Sequence, residues 1–396
     1  MTYLWGLVTL SLIVFVSQKL LSFSTISLPF KSLSFFKLQY LALGMILVLF
    51  FPNNFLLLIE RTRGHIIMFC LAWIGLYYGC GLELRAHQKF PSKVILFNII
   101  EPVIIFTFVT LVLTITLFFK FDGWSFTRVA VITAIFCSFT IFRRHGILRR
   151  EGDTSHHPVL DDLLPVGNIF PVTALSIIGV LISGTHKIDI IGLTFTGIFS
   201  IIILNILLGV AGGILLNMLI SGGESSDSLS IILIGVTALF GGMALVYSFS
   251  PLFIGTIAGA FLINSTLKRL QTLGALNNTN EIIERIFMFL LGTMLLPLIP
   301  ILKINVFFIL FYAAGLFVFR AALIYVLSSI WTSRFQHETN GSSLIWMGLT
   351  GQGIVASGAA YECSIYVQPS VFLLFVTLLV LNQLAIGFYM WHRKSH

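Results

Sequence analysis

Residues 309–327 read ILFYAAGLFVFRAALIYVL, nineteen residues with one charge, Arg320, near the middle. A membrane-spanning helix needs about 20 mostly apolar residues, and this stretch supplies them. An ionisable group within the hydrocarbon costs at least ~2.5–3.5 kcal/mol on insertion scales, so Arg320 is a functional-site candidate. Its guanidinium requires acceptors; the competing reading is a side chain that snorkels inward to the interface. The whole chain shares this character. Of 396 residues, 57% are hydrophobic and 10% are charged, and the mean hydropathy is +1.02. Soluble domains carry about 25% charged residues, and so few charges cannot cover so apolar a chain. Disorder, a disulfide scaffold and a soluble enzyme are excluded. What remains is an all-α polytopic membrane protein with its apolar surface against the lipid bilayer.

Outward from 309–327, apolar runs predict about 13 transmembrane helices. They lie near 3–18, 38–58, 64–84, 94–119, 126–142, 158–183, 189–220, 228–248, 250–267, 281–301, 304–330, 341–361 and 370–391. The span 250–267 carries a weak signal because it opens on Ser250-Pro251. The first run, MTYLWGLVTLSLIVFVS, lacks a basic n-region and a small-residue cleavage site and reads as a retained helix. No hydrophilic stretch is long enough for a soluble domain, so 1–396 reads as a single membrane domain. With thirteen spans and a cytoplasmic C-terminus, sixteen Lys and Arg lie inside. Six lie outside (Arg61, Arg63, Lys120, Arg128, Lys187, Lys303), and Arg320 is within a span. This bias places the N-terminus outside and the C-terminus in the cytoplasm, in a cell inner or plasma membrane. The net charge of +8 is thus spent on topology in short clusters, and nucleic acid is not an expected partner. Cys70, Cys80, Cys137 and Cys363 show no CxxC pairing, which argues against structural disulfides or zinc. His145, His156 and His157 share the basic loop RRHGILRREGDTSHHP, where a solvated loop outweighs a metal or pH-sensing role.

Two spans look interruptible. The fifth reads RVAVITAIFCSFTIF (128–142), with Thr133, Ser138 and Thr140 as polar breaks. The twelfth reads LIWMGLTGQGIVASGAAY (344–361), with Gly348, Thr350, Gly351, Gln352, Gly353, Ser357 and Gly358. Each stands between two long spans, and they are seven spans apart, hence oppositely oriented. Paired interrupted helices of this kind mark transporters built from inverted repeats. Close packing of membrane helices also uses Gly and small hydroxyl residues, and is the plainer reading of either segment alone. Glu101, followed by Pro102 about two turns into the fourth span, either faces the interior as counter-charge to Arg320 or reaches the cytoplasmic interface. Asp161 and Asp162 follow Pro158, where carboxylates complement a helix N-terminus. Deeper in that span come Pro165, Gly167, Asn168 and Pro171, a polar and kinkable stretch. No HExxH, mid-depth aspartate pair or Ser/His arrangement suggests an intramembrane enzyme, and no catalytic residue or metal site is assigned.

Three further stretches carry a family resemblance: AWIGLYYGCGLELR (72–85), SPLFIGTIAGAFLINS (250–265) and NEIIERIFMFLLGTML (280–295). With GLTGQGIVASGA (348–359), their order and spacing resemble the monovalent cation:proton antiporter superfamily, in its sodium/proton-exchanger and potassium-efflux branch. The resemblance covers about residue 64 to the end. It implies a sodium/proton antiporter-like fold with inverted repeats and two crossing broken helices. A core bundle (about 94–183 and 304–391) would stand beside a dimerisation or gate bundle (about 1–84 and 189–301), in a homodimer with room for accessory subunits. The family's sixth span bears an essential aspartate. Aligning the fifth-span motif on Cys137-Ser138-Phe139 places Asn168 at that position and Gly167 at its acidic or amide neighbour. The twelfth-span glutamate falls on Gln352, between Gly351 and Gly353, and Arg320 matches the basic residue of the eleventh span.

Both acids thus become amides in this alignment. A carboxylate can hold either a proton or a metal ion, whereas Asn168 does not titrate. A buried arginine without its carboxylate also repels Na+ or K+. The expected function is a secondary transporter of the cation:proton antiporter type with atypical or lost proton coupling, with Na+, K+ or H+ as cargo and no cofactor. Glu101, Asp161 or Asp162 would supply the carboxylate. The alternative is a non-exchanging protein of the same fold, acting as a membrane sensor, gated leak or effector subunit. Anion transport, favoured by half-helix N-termini and Arg320, is a third reading.

Overall fold

The computed structural model describes residues 37–50, 53–87, 92–118, 124–139, 166–183, 188–190, 193–195, 198–222, 226–247, 249–301, 306–335, 353–366 and 372–384. In chain order the helices are α1 (Leu38–Phe50), α2 (Asn53–Gly79), α3 (Leu84–His87), α4 (Ser92–Phe118), α5 (Trp124–Ser138) and α6 (Ile169–Ser183). After strands β1 (Ile188–Ile190) and β2 (Leu193–Phe195) come α7 (Ile198–Gly222), α8 (Ser226–Tyr247), α9 (Pro251–Ser265), α10 (Arg269–Ile301), α11 (Val306–Phe335) and α12 (Ile354–Tyr366). A last apolar helix, α13, covers Phe372–Leu384. Among the described residues, four stretches are long and apolar enough to cross a membrane: Asn98–Ile115, Phe199–Gly222, Ser228–Tyr247 and Leu310–Leu327.

Several sequence-based boundaries move. The span placed at 3–18 lies outside the described residues. The break expected near 59–63 falls instead after Phe50, so Arg61 and Arg63 belong to α2 and not to a loop. Pro52 in the sequence explains the shift, because proline has no amide to continue a helical ladder. The described fold is helical apart from one short hairpin. The span placed at 189–220 begins as an antiparallel hairpin with Ile188 opposite Phe195 and Ile190 opposite Leu193. Two short β-prone runs around Ile191-Gly192 are a hairpin signal that mean hydropathy overrode. Ser250-Pro251 proves a strong helix start. The Ser250 hydroxyl accepts the Phe253 N–H at 3.2 Å, and Pro251 occupies the first turn, where its missing donor costs nothing.

The chain divides into two compact units. The first comprises 1–77, 205–303 and 387–396; the second comprises 78–204 and 304–386. In the first unit α1 packs on α10, and α8 packs on α9 and α10. Two reciprocal glycine contacts bring its backbones close. A Cβ on Gly44 of α1 would strike the Phe289 carbonyl of α10, and one on Gly292 of α10 would strike the Leu41 carbonyl of α1. Gly75 of α2 and Gly255 of α9 repeat the arrangement against the Leu252 and Ala72 carbonyls. In lipid, apolar burial gives helices little reason to associate, and such close van der Waals approach supplies it.

In the second unit α4 packs on α5, α6 and α11, and α12 packs on α5 and α6. The burial pattern shows how each helix is turned. On α4, Glu101, Ile105, Val109 and Leu113 are buried while Val103, Phe108, Leu111 and Ile115 are exposed. On α11, Ala313, Leu316, Arg320 and Ile324 are buried and Phe311, Val318 and Tyr325 are exposed. Both buried sets follow helical spacing, so each helix offers one face to the unit and an apolar face outward. Sequence periodicity could not reveal this, because both faces are apolar apart from the charged residue.

Candidate functional site: a buried arginine at a helix end

α5 has 15 residues, about 22 Å at 1.5 Å per residue, and so falls short of a roughly 30 Å hydrocarbon layer. The sequence-based span had run to 142; the described helix stops at Ser138. A helix end leaves its last carbonyls without intrahelical donors, and buried carbonyls must find others. Here four are satisfied in three ways. The Ser138 hydroxyl donates to the Ile135 carbonyl at 2.6 Å, and the Phe139 N–H donates to the Phe136 carbonyl at 3.3 Å. Arg320 reaches across from α11 for the other two: Nε donates to the Cys137 carbonyl and Nη2 to the Phe139 carbonyl, each at 2.7 Å.

The third edge of the guanidinium meets α13, where Nη1 donates to Asn382 Oδ1 at 3.0 Å. The Asn382 amide in turn donates to the Leu378 carbonyl at 2.8 Å, which fixes its orientation. Phe136 and Phe375 stack at 4.6 Å between ring centres and hold α13 against the last turn of α5. Arg320 has no solvent exposure. A planar fork with several donors suits this multi-carbonyl grip in a way that a lysine ammonium does not. Its positive charge also sits at the negative end of the α5 dipole, where a cation is favoured.

Asn168 is fully buried, and its main-chain carbonyl accepts the Val172 N–H at 3.1 Å, so α6 starts at this residue. Gly167, just before it, is buried too. Gly353 plays the same part for α12: its carbonyl accepts the Ser357 N–H at 3.2 Å and the Ser357 hydroxyl at 3.4 Å. Because α5, α6 and α12 pack on one another, one helix end and two helix starts belong to neighbouring elements. Thr133 is not a break: its hydroxyl donates to the Val129 carbonyl at 2.7 Å and the helix runs straight through. Asp161, Asp162, Gly351 and Gln352 lie outside the described residues.

Glu101 is 1% exposed, which answers the question the sequence left open: it faces the interior of its unit and not the interface. Its helix α4 packs on α11, which carries the buried Arg320. Among the described residues neither carboxyl oxygen has a hydrogen-bond partner, so Glu101 and Arg320 do not form a hydrogen-bonded ion pair. Among the described residues no cluster of three or more His, Cys, Asp or Glu is placed to hold a metal.

Sequence reasoning missed Asn382, Glu83 and Glu362. All three are buried, at 1%, 2% and 4% exposure. Asn382 had a usable signal, the adjacent amides Asn382-Gln383 within the apolar run VFLLFVTLLVLNQLAIGF (371–388).

The sequence matches no protein-family model and no curated protein. Solved structures do match. A sodium/proton antiporter, MjNhaP1 from Methanocaldococcus jannaschii, solved at pH 8, is similar over 98% of this chain and 94% of its own, with a TM-score of 0.58 and 13% identity. The chain has a sodium/proton antiporter-like fold. At that identity the likeness concerns the fold, and activity has to be argued from the site.

Proposed function

We propose that this chain is a secondary transporter of the monovalent cation:proton antiporter type whose proton coupling does not use the acid at the start of α6. The reading rests above all on Arg320, a buried cation closing the carbonyl end of a helix too short to span. Such a helix end is a fixed dipole inside the protein, and paired ends of this kind form the ion sites of transporters built from inverted repeats. In this reading α4–α6 and α11–α13 form the two repeats, with α5 and α12 as the interrupted helices. The second unit moves as the transporting bundle while the glycine-packed first unit forms the dimer contact. The N-terminus lies outside and the C-terminus inside.

The amide of Asn168 sets this molecule apart from an ordinary exchanger of the resembling family. An amide oxygen can help coordinate a cation, but it cannot trade that cation for a proton. The same observation supports a second reading, a non-exchanging sensor, gated leak or effector subunit in which Arg320 biases one conformation.

Reconstitution in proteoliposomes with an entrapped pH dye separates the two readings. The transporter reading expects proton movement when Na+, K+ or Li+ is added, at some pH between mildly acidic and mildly alkaline. Silence with all three ions throughout that range defeats it and favours the non-exchanging alternative.

A further inference from the structure

We propose that Glu101 is the proton-binding residue of the second unit, taking the part that Asn168 cannot. The inference rests on the transporter reading for its purpose, but the site itself stands on geometry. Glu101 is 1% exposed, and both carboxyl oxygens are without a hydrogen-bond partner. Structural carboxylates buried to this degree are normally satisfied by several donors, since a buried polar group without partners costs free energy. Among the described residues, no hydrogen-bond donor holds the Glu101 carboxyl in its charged form. Arg320 provides the contrast: its donors are committed to the Cys137 and Phe139 carbonyls and to Asn382. Arg320 lies on α11, which packs on α4, and shares the interior of the unit with Glu101 without a direct bond between them.

Position supports the role. Glu101 lies nine residues into α4, about 13 Å along its axis, on the face that carries Ile105, Val109 and Leu113 into the unit. It precedes Pro102, which removes a main-chain donor inside the helix and weakens the ladder at that depth. On the elements packed against α4, the buried or half-buried titratable side chains among the described residues are Cys137 of α5 and Arg320 and Tyr312 of α11. α6 brings Asn168, which does not titrate. Protonation at this point changes by one unit the net charge buried in the unit that contains Arg320. It therefore bears on the element that holds the end of α5.

The test uses the full-length protein in liposomes. First, a hydrophobic carbodiimide, which reacts with protonated carboxyls in apolar surroundings, is applied at a series of pH values and the labelled peptide is identified by mass spectrometry. Second, the infrared carboxyl band is followed through a pH jump in wild type, Glu101→Gln and Glu101→Asp. Third, proton flux is compared among wild type, Glu101→Gln, Asp161→Asn and Asp162→Asn.

The expected results are pH-dependent labelling at Glu101, a carboxyl band absent from Glu101→Gln and shifted in Glu101→Asp, and loss of proton flux in Glu101→Gln with its thermal midpoint kept. Proton flux at the wild-type level in Glu101→Gln, or labelling confined to Asp161, Asp162, Glu83 or Glu362, overturns the proposal. If wild type moves no protons with any ion, the transporter reading fails, and the infrared band alone then decides whether Glu101 exchanges a proton. A Glu101→Gln protein that does not fold leaves the decision to the band and labelling in wild type and Glu101→Asp.

Discussion

The two units bury polar groups for opposite ends. In the first, buried hydroxyls are satisfied within their own helices: Thr256 donates to the Leu252 carbonyl at 2.7 Å, Thr272 to Lys268 at 3.0 Å and Thr293 to Leu290 at 2.6 Å. There Lys37 and Arg285 pair side chain to side chain with Glu281, at 2.6 and 3.2 Å. In the second unit a buried arginine and a buried glutamate share an interior without bonding to each other. Each unit also has a basic residue capping a helix C-terminus. Lys268, partly exposed, donates to the Ile220 and Ser221 carbonyls at the end of α7 at 3.2 and 3.0 Å. Arg320 does the same at the end of α5 with no exposure. At α7 water can replace the lysine. At α5 Arg320 has no solvent exposure, so water is not there to take its place.

That contrast can be broken most forcefully at Arg320. Arg320→Ala leaves two carbonyls and the Asn382 amide without their donor, and each buried acceptor left unsatisfied costs about 1–3 kcal/mol. Thermal unfolding in detergent, read by gel filtration, should show most of the protein lost or its midpoint strongly lowered. A midpoint within a degree or two of wild type would mean that the α5 end does not depend on the guanidinium.

Glycine substitutions sharpen the picture of the first unit. Gly75→Ala and Gly255→Ala drive a methyl group into a facing carbonyl, and overpacking of this kind costs about 1–3 kcal/mol. Gly235→Ala and Gly274→Ala meet nothing nearby and replace a helical glycine, which should stabilise by up to about 1 kcal/mol. The same unfolding assay should therefore give shifts of opposite sign within one unit. Equal shifts would refute the close-packed contact. Ser250→Ala removes the cap of α9 and should cost about 1 kcal/mol, with Ser250→Gly costing less.

Smallest is Lys268→Ala, where a partly exposed cation at a helix C-terminus is worth about 0.3–1 kcal/mol and is screened by salt. Its effect should shrink as ionic strength rises, while that of Arg320→Ala should not, because buried charges are poorly screened. An Arg320→Ala penalty that faded with added salt would place the two caps in the same environment after all.

Much of this was legible in residue order. Long apolar runs with few charges dictate membrane helices, since the bilayer demands internally satisfied backbone. The isolated Arg320 stands out because it is a charge in an apolar stretch, whereas the amide at Asn168 draws attention only through the family resemblance. Helix ends were read less well. Pro52 carries the right local chemistry but is outweighed by hydropathy, as is the hairpin at 188–195; the span at 250–267 is placed correctly, with its Ser250-Pro251 start read as a weakness where it is a cap.

Composition and charge spacing by themselves determined that the chain lives in lipid and which residues cannot be ordinary there, because transfer costs depend on the residue and its depth alone. What Arg320 holds was decided only in three dimensions. Its partners lie 181, 183 and 62 positions away, and two of them are main-chain carbonyls that no side-chain identity announces. The burial of Glu101 without a bonded partner was likewise settled by which face of α4 turns inward, a choice that an evenly apolar helix does not encode along its length.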